Sequence, residues 1–99
     1  MNLARLYKYL RHKECRLDFS HAAALMLFRD ESSMTVGEVR RYLGCCSPNV
    51  TQILDHLVKQ ELVRRWRVES DRRSVYVAVT GKGQEMQRRI IEKLKPDEN

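Results

Sequence analysis

The sequence predicts a mainly α-helical domain that also contains one small antiparallel β-hairpin, an α+β fold. Apolar residues recur at helical spacing in five segments, and polar or helix-capping residues separate these segments. One stretch in the C-terminal half instead alternates valines with other residues, which is typical of a strand. The chain has 99 residues, enough for one domain, 1–99, with a modest core.

The composition is basic, with 19 Lys and Arg against 13 Asp and Glu and a formal net charge of +6. Such a balance in a small domain favours polyanionic partners, nucleic acid first and an anionic membrane second. The N-terminus is amphipathic and no apolar run reaches membrane-spanning length, so we expect a soluble, cytoplasmic protein without a membrane partner. Its three cysteines form no C-x-x-C pair, which predicts reduced thiols and no zinc site.

The first two helices are predicted from their apolar faces. Leu3, Leu6, Tyr7 and Leu10 share one face of a first amphipathic helix over about residues 3–14. A second, more apolar helix should begin near Ser20 as its N-cap. A polar loop, 29–33, should end this helix.

The third helix has the clearest local signature. Thr35 and Glu38 are spaced for a capping box, and Met34 and Val39 lie at the two positions of a hydrophobic staple. Gly44 is placed to end the helix in a left-handed conformation. The sequence therefore predicts a short helix over residues 36–43.

A fourth helix should follow after only a few residues, with Ser47 as N-cap and Pro48 in its first turn. Its buried stripe follows helical spacing: Val50, Ile53, Leu54, Leu57 and Val58. The opposite side is polar: Asn49, Thr51, Gln52, Asp55, His56 and Lys59. Two short helices joined by a tight turn, the second with a hydrogen-bonding outer face, indicate a helix-turn-helix with the fourth helix as recognition helix.

Two strands, 62–68 and 74–80, should form a two-stranded wing after the recognition helix. The polar segment 69–73, which contains Asp71, Arg72 and Arg73, should connect them. Thr80 can then cap a last helix over residues 81–95, which Pro96 should end.

From about Leu25 to Gly83 the chain resembles the winged helix-turn-helix of MarR-type transcription regulators. The helix-turn-helix spans residues 39–57, and the D-R-R of the wing is residues 71–73. The segment 79–83, Val-Thr-Gly-Lys-Gly, matches the L-T-x-x-G start of the next helix with Val in place of Leu. The D-R-R and T-x-x-G elements at this separation are the more specific part of the resemblance.

This resemblance implies a homodimeric regulator of transcription, a repressor or an activator, that binds double-stranded DNA. The recognition helix would enter the major groove and the wing tip the minor groove. Three features depart from the family pattern. Glu61 replaces the usual Gly before the wing, Gln52 replaces a basic residue and favours adenine over guanine, and the terminal helices are short.

Candidate DNA contacts lie on the recognition helix and the wing: Ser47, Pro48, Asn49, Thr51, Gln52, His56, Lys59, Arg65, Arg67, Arg72 and Arg73. Several of the arginines should hold phosphates, and Asp71 should orient an arginine without touching DNA. The alternative is that these residues form a solvated face and that Arg72 and Arg73 only pair with nearby carboxylates. Trp66 is expected to be a packing residue.

The terminal helices are the predicted dimerisation elements, because they are more apolar than one small core needs. The residues expected to pack across a twofold axis are Leu3, Leu6, Tyr7, Leu10, Met86, Ile90 and Leu94. Cys15 and Cys46 are candidate redox sites, since some MarR-type regulators sense peroxide through cysteine. No cofactor or metal site is predicted, and a small-molecule effector is left open without a residue pattern to support it.

No enzyme function is predicted, because the chain lacks a nucleophile and base at motif spacing and a Gly-rich phosphate loop. Two classes of function are open besides a sequence-specific repressor. One is a protein-binding adaptor or antirepressor that retains the winged helix, and the other is a nonspecific architectural DNA-binding protein. The polar, basic face that combines Gln52, Arg72 and Arg73 favours a DNA-binding function over a protein-binding adaptor.

Overall fold

A computed structural model describes residues 2–12, 17–30, 32–43 and 49–96, and of residues 71–73 it describes the backbone alone. The elements follow in this order: α1 (Leu3–Leu10), α2 (Phe19–Met26), a 3₁₀ turn (Leu27–Arg29), β1 (Ser33–Thr35), α3 (Val36–Leu43), α4 (Val50–Lys59), β2 (Val63–Val68), β3 (Asp71–Val79) and α5 (Gly81–Leu94). Helices therefore dominate and one small sheet is present, as the sequence predicts. None of the helices in these ranges is both long and apolar enough to cross a membrane.

The sheet has three antiparallel strands in the order β1-β3-β2, in which β2 and β3 are the predicted two-stranded wing and β1 was not predicted. The additional strand, β1, pairs with β3 from Ser33 opposite Ala78 to Thr35 opposite Tyr76. The sequence placed Ser33 in a loop because three residues are too few to show strand alternation. Only the hydrogen bonds to β3 make this segment a strand.

The wing hairpin turns earlier than the sequence predicts. Its turn is Glu69–Ser70, and the backbone of Asp71–Arg73, predicted to be connection, already belongs to β3. The register is irregular here, because Arg67 pairs with Val75 but Val68 pairs with Asp71. Such an irregularity bends the strand and re-aims the residues beside it.

The capping box of α3 is confirmed. The Glu38 amide donates to the Thr35 hydroxyl at 3.1 Å, and the Thr35 amide donates to the Glu38 carboxylate at 3.2 Å. The N-cap predicted for α2 was wrong, because Asp18 and not Ser20 caps that helix. The Asp18 carboxylate accepts the His21 amide at 3.0 Å, and the Asp18 amide donates to His21 Nδ1 at 3.3 Å.

Two other helix ends differ from the prediction. Helix α1 ends at Leu10 instead of continuing to about residue 14. Helix α4 begins at Val50 with Asn49 as its N-cap position, without a side-chain capping bond. The predicted stop at Gly44 and the predicted start at Ser47 and Pro48 lie outside the described residues.

The short segment after α4 packs against the start of α5, on the far side of the two wing strands in sequence. Glu61, at the position that is usually Gly in the family, has a φ of 64°, so it does adopt the left-handed conformation. The Thr80 hydroxyl accepts the Gly83 amide at 3.0 Å, as predicted for an N-cap, and donates to the Glu61 carbonyl at 2.7 Å. One side chain therefore joins the start of α5 to the end of α4.

The core draws on every helix, including both terminal ones. Its largest fully buried side chains include Phe28, Leu25, Leu54, Leu57 and Leu62. The first and last helices pack on each other within the chain, and the Asn2 amide donates to the Leu94 carbonyl at 2.9 Å.

This packing changes the dimerisation prediction. Leu6, Leu10 and Ile90 are at most 5% exposed and lie in the core of the chain itself, so they have no free surface for a twofold interface. Met86 and Leu94 are partly buried against the same core. Of the seven predicted residues, only Leu3 and Tyr7 are more than half exposed.

Candidate nucleic-acid interface

The outer side of α4 is a polar surface held in place by a fully apolar inner side. Val50, Ile53, Leu54 and Leu57 are buried, which fixes the rotation of the helix on the core. The exposed side carries five of the predicted polar residues: Asn49, Thr51, Gln52, Asp55 and Lys59. Their side chains supply hydrogen-bond donors and acceptors of the kinds that read base edges.

An open groove of about 860 Å³ lies between this helix and the wing. Its walls come from the end of β1, from α3, from α4 and from the two wing strands: Thr35, Val36, Gly37, Arg40, Thr51, Leu54, Asp55, Arg65, Trp66, Arg67, Ser74 and Val75. Three arginines border it against one carboxylate. The groove therefore has a surplus of positive charge, which suits a polyanion.

Two side-chain contacts inside the groove join the elements that form it. Arg65 Nη1 of β2 lies 2.5 Å from Asp55 Oδ1 of α4, so an ion pair connects wing and recognition helix. Arg40 Nη2 of α3 donates to the Thr51 hydroxyl at 3.5 Å. Both pairs are exposed, so they orient the arginines more than they stabilise the fold.

The strand β2 distributes its arginines over both faces of the sheet. Arg65 lies opposite Val77, whose side chain is buried in the core, and Arg67 lies opposite Val75. Directly opposite residues share a face, so both arginines lie on the face that meets α4. Arg64 is on the other face, because successive strand residues point to opposite sides.

His56 is placed differently from the other predicted contacts. Its ring stacks on that of His21 in α2, with centroids 4.1 Å apart and an angle of 13° between the planes. Burial lowers the pKa of His21 below its ordinary value, the charge of Asp18 acts in the opposite direction, and His56 lowers it further. His56 is half-buried, so the structure brings it toward α2 and away from the fully exposed polar side.

Several predicted residues cannot be placed relative to this groove. Ser47, Pro48, Cys15 and Cys46 lie outside the described residues. Of Asp71, Arg72 and Arg73 the structure describes the backbone, which forms the start of β3.

Three features of the interface escaped the sequence prediction. Arg40 was not selected, although its place in the last turns of α3, before a tight turn, could have indicated a neighbour of the recognition helix. The Asp55 to Arg65 pair and the His21 to His56 stack join residues of different elements, so no local spacing reveals them.

Within the described ranges, no group of three or more His, Cys, Asp or Glu could hold a metal ion.

Comparison with known proteins agrees with this geometry. The family model described as MarR family matches residues 20–75, which includes the helix-turn-helix and most of the wing. A curated relative is an uncharacterised HTH-type transcriptional regulator, YfiV, of Bacillus subtilis (strain 168), 34% identical over 80 residues. That match covers 79% of this chain and 50% of YfiV, so the chain spans about half the length of this relative.

Solved structures give the same fold. Reduced AbfR bound to DNA is 26% identical, with a TM-score of 0.78, and the match covers 92% of this chain and 66% of AbfR. The apo form of MarR from E. coli is 23% identical, with a TM-score of 0.77, and the match covers 92% of this chain and 65% of that protein. Because the family model covers more than half of the residues and the winged helix-turn-helix is in place, the chain belongs to the MarR family.

Proposed function

We propose that this chain is a sequence-specific DNA-binding regulator of transcription, with α4 in the major groove and the wing along the minor groove. The observation that carries the proposal is the positively charged groove between the polar side of α4 and the wing. Membership of the MarR family supports it, and so does the likeness to AbfR, which was solved bound to DNA.

The residues proposed to contact DNA differ by role. Asn49, Thr51 and Gln52 lie on the exposed start of α4 and would meet base edges, since the N-terminal part of a recognition helix is the part that enters the groove. Arg40, Arg65 and Arg67 border the groove and would hold phosphates, which sets register without reading sequence. Arg72 and Arg73 are proposed for the minor groove on their position in the wing.

The proposed active form is a homodimer that acts as a repressor. Leu3, Tyr7 and Phe19 are 55%, 51% and 44% exposed, and the rings of Tyr7 and Phe19 stack at 5.8 Å. An exposed apolar cluster of this kind suits contact with a second copy of the chain. A dimer would bind two half-sites separated by one or more helical turns.

The test is the affinity for mixed-sequence and selected duplexes across a salt series. We expect binding that weakens steeply with salt, because phosphate contacts release counterions, and selected duplexes should bind more tightly than mixed ones. Equal affinity for all duplexes would favour the architectural alternative. Absence of binding at low salt would overturn the proposal and favour a protein-binding adaptor.

A Gln52→Ala variant tests the reading of bases within this scheme. It should lower affinity for the selected duplex by about tenfold, because a bidentate contact to one base contributes about 1–3 kcal/mol. Affinity for mixed-sequence DNA should change little. An Arg67→Ala variant is the control, because loss of its proposed phosphate contact should weaken binding to both duplexes alike.

A further inference from the structure

The wing carries a group of three interacting side chains, Arg64, Trp66 and Tyr76, which we call the wing stack. Trp66 and Tyr76 are direct cross-strand partners in β2 and β3. Their rings stack with centroids 6.0 Å apart and an angle of 21° between the planes. Arg64 Cζ lies 5.2 Å from the centroid of the Trp66 ring, within the range of a cation–π contact.

The wing stack lies on the opposite face of the sheet from Arg65 and Arg67, the two β2 arginines that border the groove. Arg65 is between Arg64 and Trp66 in sequence, and its side chain reaches Asp55 on α4. Strand alternation therefore directs Arg64 and the Trp66 ring away from α4. Trp66 borders the groove as well, but its ring is engaged by Tyr76 and Arg64.

The wing stack also lies at the point along β3 where pairing with the third strand, β1, ends. β1 pairs with β3 only as far as Tyr76, opposite Thr35. One residue pair further on, the register shifts between Arg67 and Val68. Beyond the stack the wing is thus an irregular two-stranded ribbon, and such a ribbon has little stability of its own. Its direction depends on the last regular cross-strand pairs.

We propose that Trp66 is a positioning residue for the wing, which sets the direction of the tip through Tyr76 and holds Arg64 away from DNA. Of the three arginines in β2, Arg65 and Arg67 then serve phosphates and Arg64 does not. This inference rests on the proposed function, since it assigns roles within the same interface.

The first arm of the test compares Trp66→Ala with Trp66→Phe in the 99-residue chain, on a mixed-sequence duplex across a salt series. Trp66→Ala should weaken binding by about three- to tenfold and make the salt dependence shallower, because the tip arginines are no longer directed into the minor groove and release fewer counterions. Trp66→Phe keeps an aromatic partner for Tyr76 and should bind like the unaltered chain. A purely structural role would lower the melting temperature of Trp66→Ala and leave its salt dependence unchanged, which would overturn the proposal.

The second arm compares Arg64→Gln with Arg67→Gln. Arg67→Gln should reduce the slope of log affinity against log salt by about 0.9, the value for one phosphate contact, and Arg64→Gln should not change it. Arg64→Gln should instead shift the fluorescence of Trp66, which is the single tryptophan in the chain.

The outcomes separate the two proposals. Equal loss of slope in both arginine variants would place Arg64 at a phosphate and overturn the inference. Unchanged Trp66 fluorescence in Arg64→Gln, measured in the absence of DNA, would also overturn the inference. Failure of the unaltered chain to bind at low salt would instead overturn the proposed function, whatever the fluorescence shows.

Discussion

At the scale of single residues, the junction between the wing and α5 explains the T-x-x-G element. The Thr80 hydroxyl accepts the Gly83 amide in the first turn of α5 and donates to the Glu61 carbonyl. Gly83 lies directly against the backbone of Leu62, where a Cβ would come within 2.0 Å of the carbonyl oxygen. The spacing of the element thus reflects a close approach of two backbone segments, which only glycine permits.

Gly83→Ala should therefore destabilise the fold by about 3 kcal/mol or more, because backbone and not a flexible side chain occupies the space of the methyl group. Chemical denaturation would measure the loss. Gly81→Ala is the matched control, since no atom lies within 4 Å of a Cβ at that position and its stability should change by less than about 1 kcal/mol. Similar stability of the two variants would contradict the packing argument.

At the scale of elements, two helices of the helix-turn-helix region meet through a pair of imidazoles. His21 belongs to the capping box of α2, and its ring stacks on His56 of the recognition helix. The carboxylate of Asp18 lies beside the pair, 3.1 Å from His21 Nδ1. Burial and the second imidazole outweigh this carboxylate, so the pKa of His21 lies below its ordinary value.

A lowered pKa in the folded chain means that the unfolded chain binds the proton more tightly. The contribution of His21 to stability should be complete above a pH of about 6.5, decrease as pH falls below that value, and level off below the folded pKa. Denaturation midpoints measured between neutral and mildly acidic pH would show this. His56→Gln removes one source of repulsion and should flatten the decrease. An equally steep decrease in this variant would contradict the account.

At the scale of the whole molecule, the terminal helices complete the core of the monomer and also leave a surface. The core buries Leu6, Leu10 and Ile90. An exposed apolar cluster remains on α1 and the start of α2, formed by Leu3, Tyr7 and Phe19. The proposed dimer thus uses the outward face of α1, and not the whole apolar set of the terminal helices.

Tyr7→Glu should weaken self-association at least tenfold, because it buries a charge at the centre of the proposed contact without disturbing the core. Light scattering across a concentration series would measure the mass. Tyr42→Glu is the matched control, since Tyr42 is 64% exposed on α3, outside the cluster, and this variant should associate like the unaltered chain. Equal mass for Tyr7→Glu and the unaltered chain at every concentration would exclude this surface.

The sequence by itself determined the order of the five helices and the two wing strands, the capping box of Thr35 and Glu38, and the buried stripe of α4. These features depend on residues three or four positions apart, or on strand alternation, so local spacing reveals them. It also determined the MarR resemblance, through the D-R-R and T-x-x-G elements.

Tertiary structure alone decided that β1 is a strand and that the terminal helices pack within their own chain. It also decided the partners of Asp55, His56 and Trp66. β1 is a strand only because β3 supplies its hydrogen bonds, and Leu6 and Ile90 are core residues only because α1 and α5 pack within one chain. An apolar helix face looks the same in sequence whether it packs on its own chain or on a second copy. Which surface remains for the proposed contacts with DNA and with a second copy is a property of contacts between residues distant in sequence.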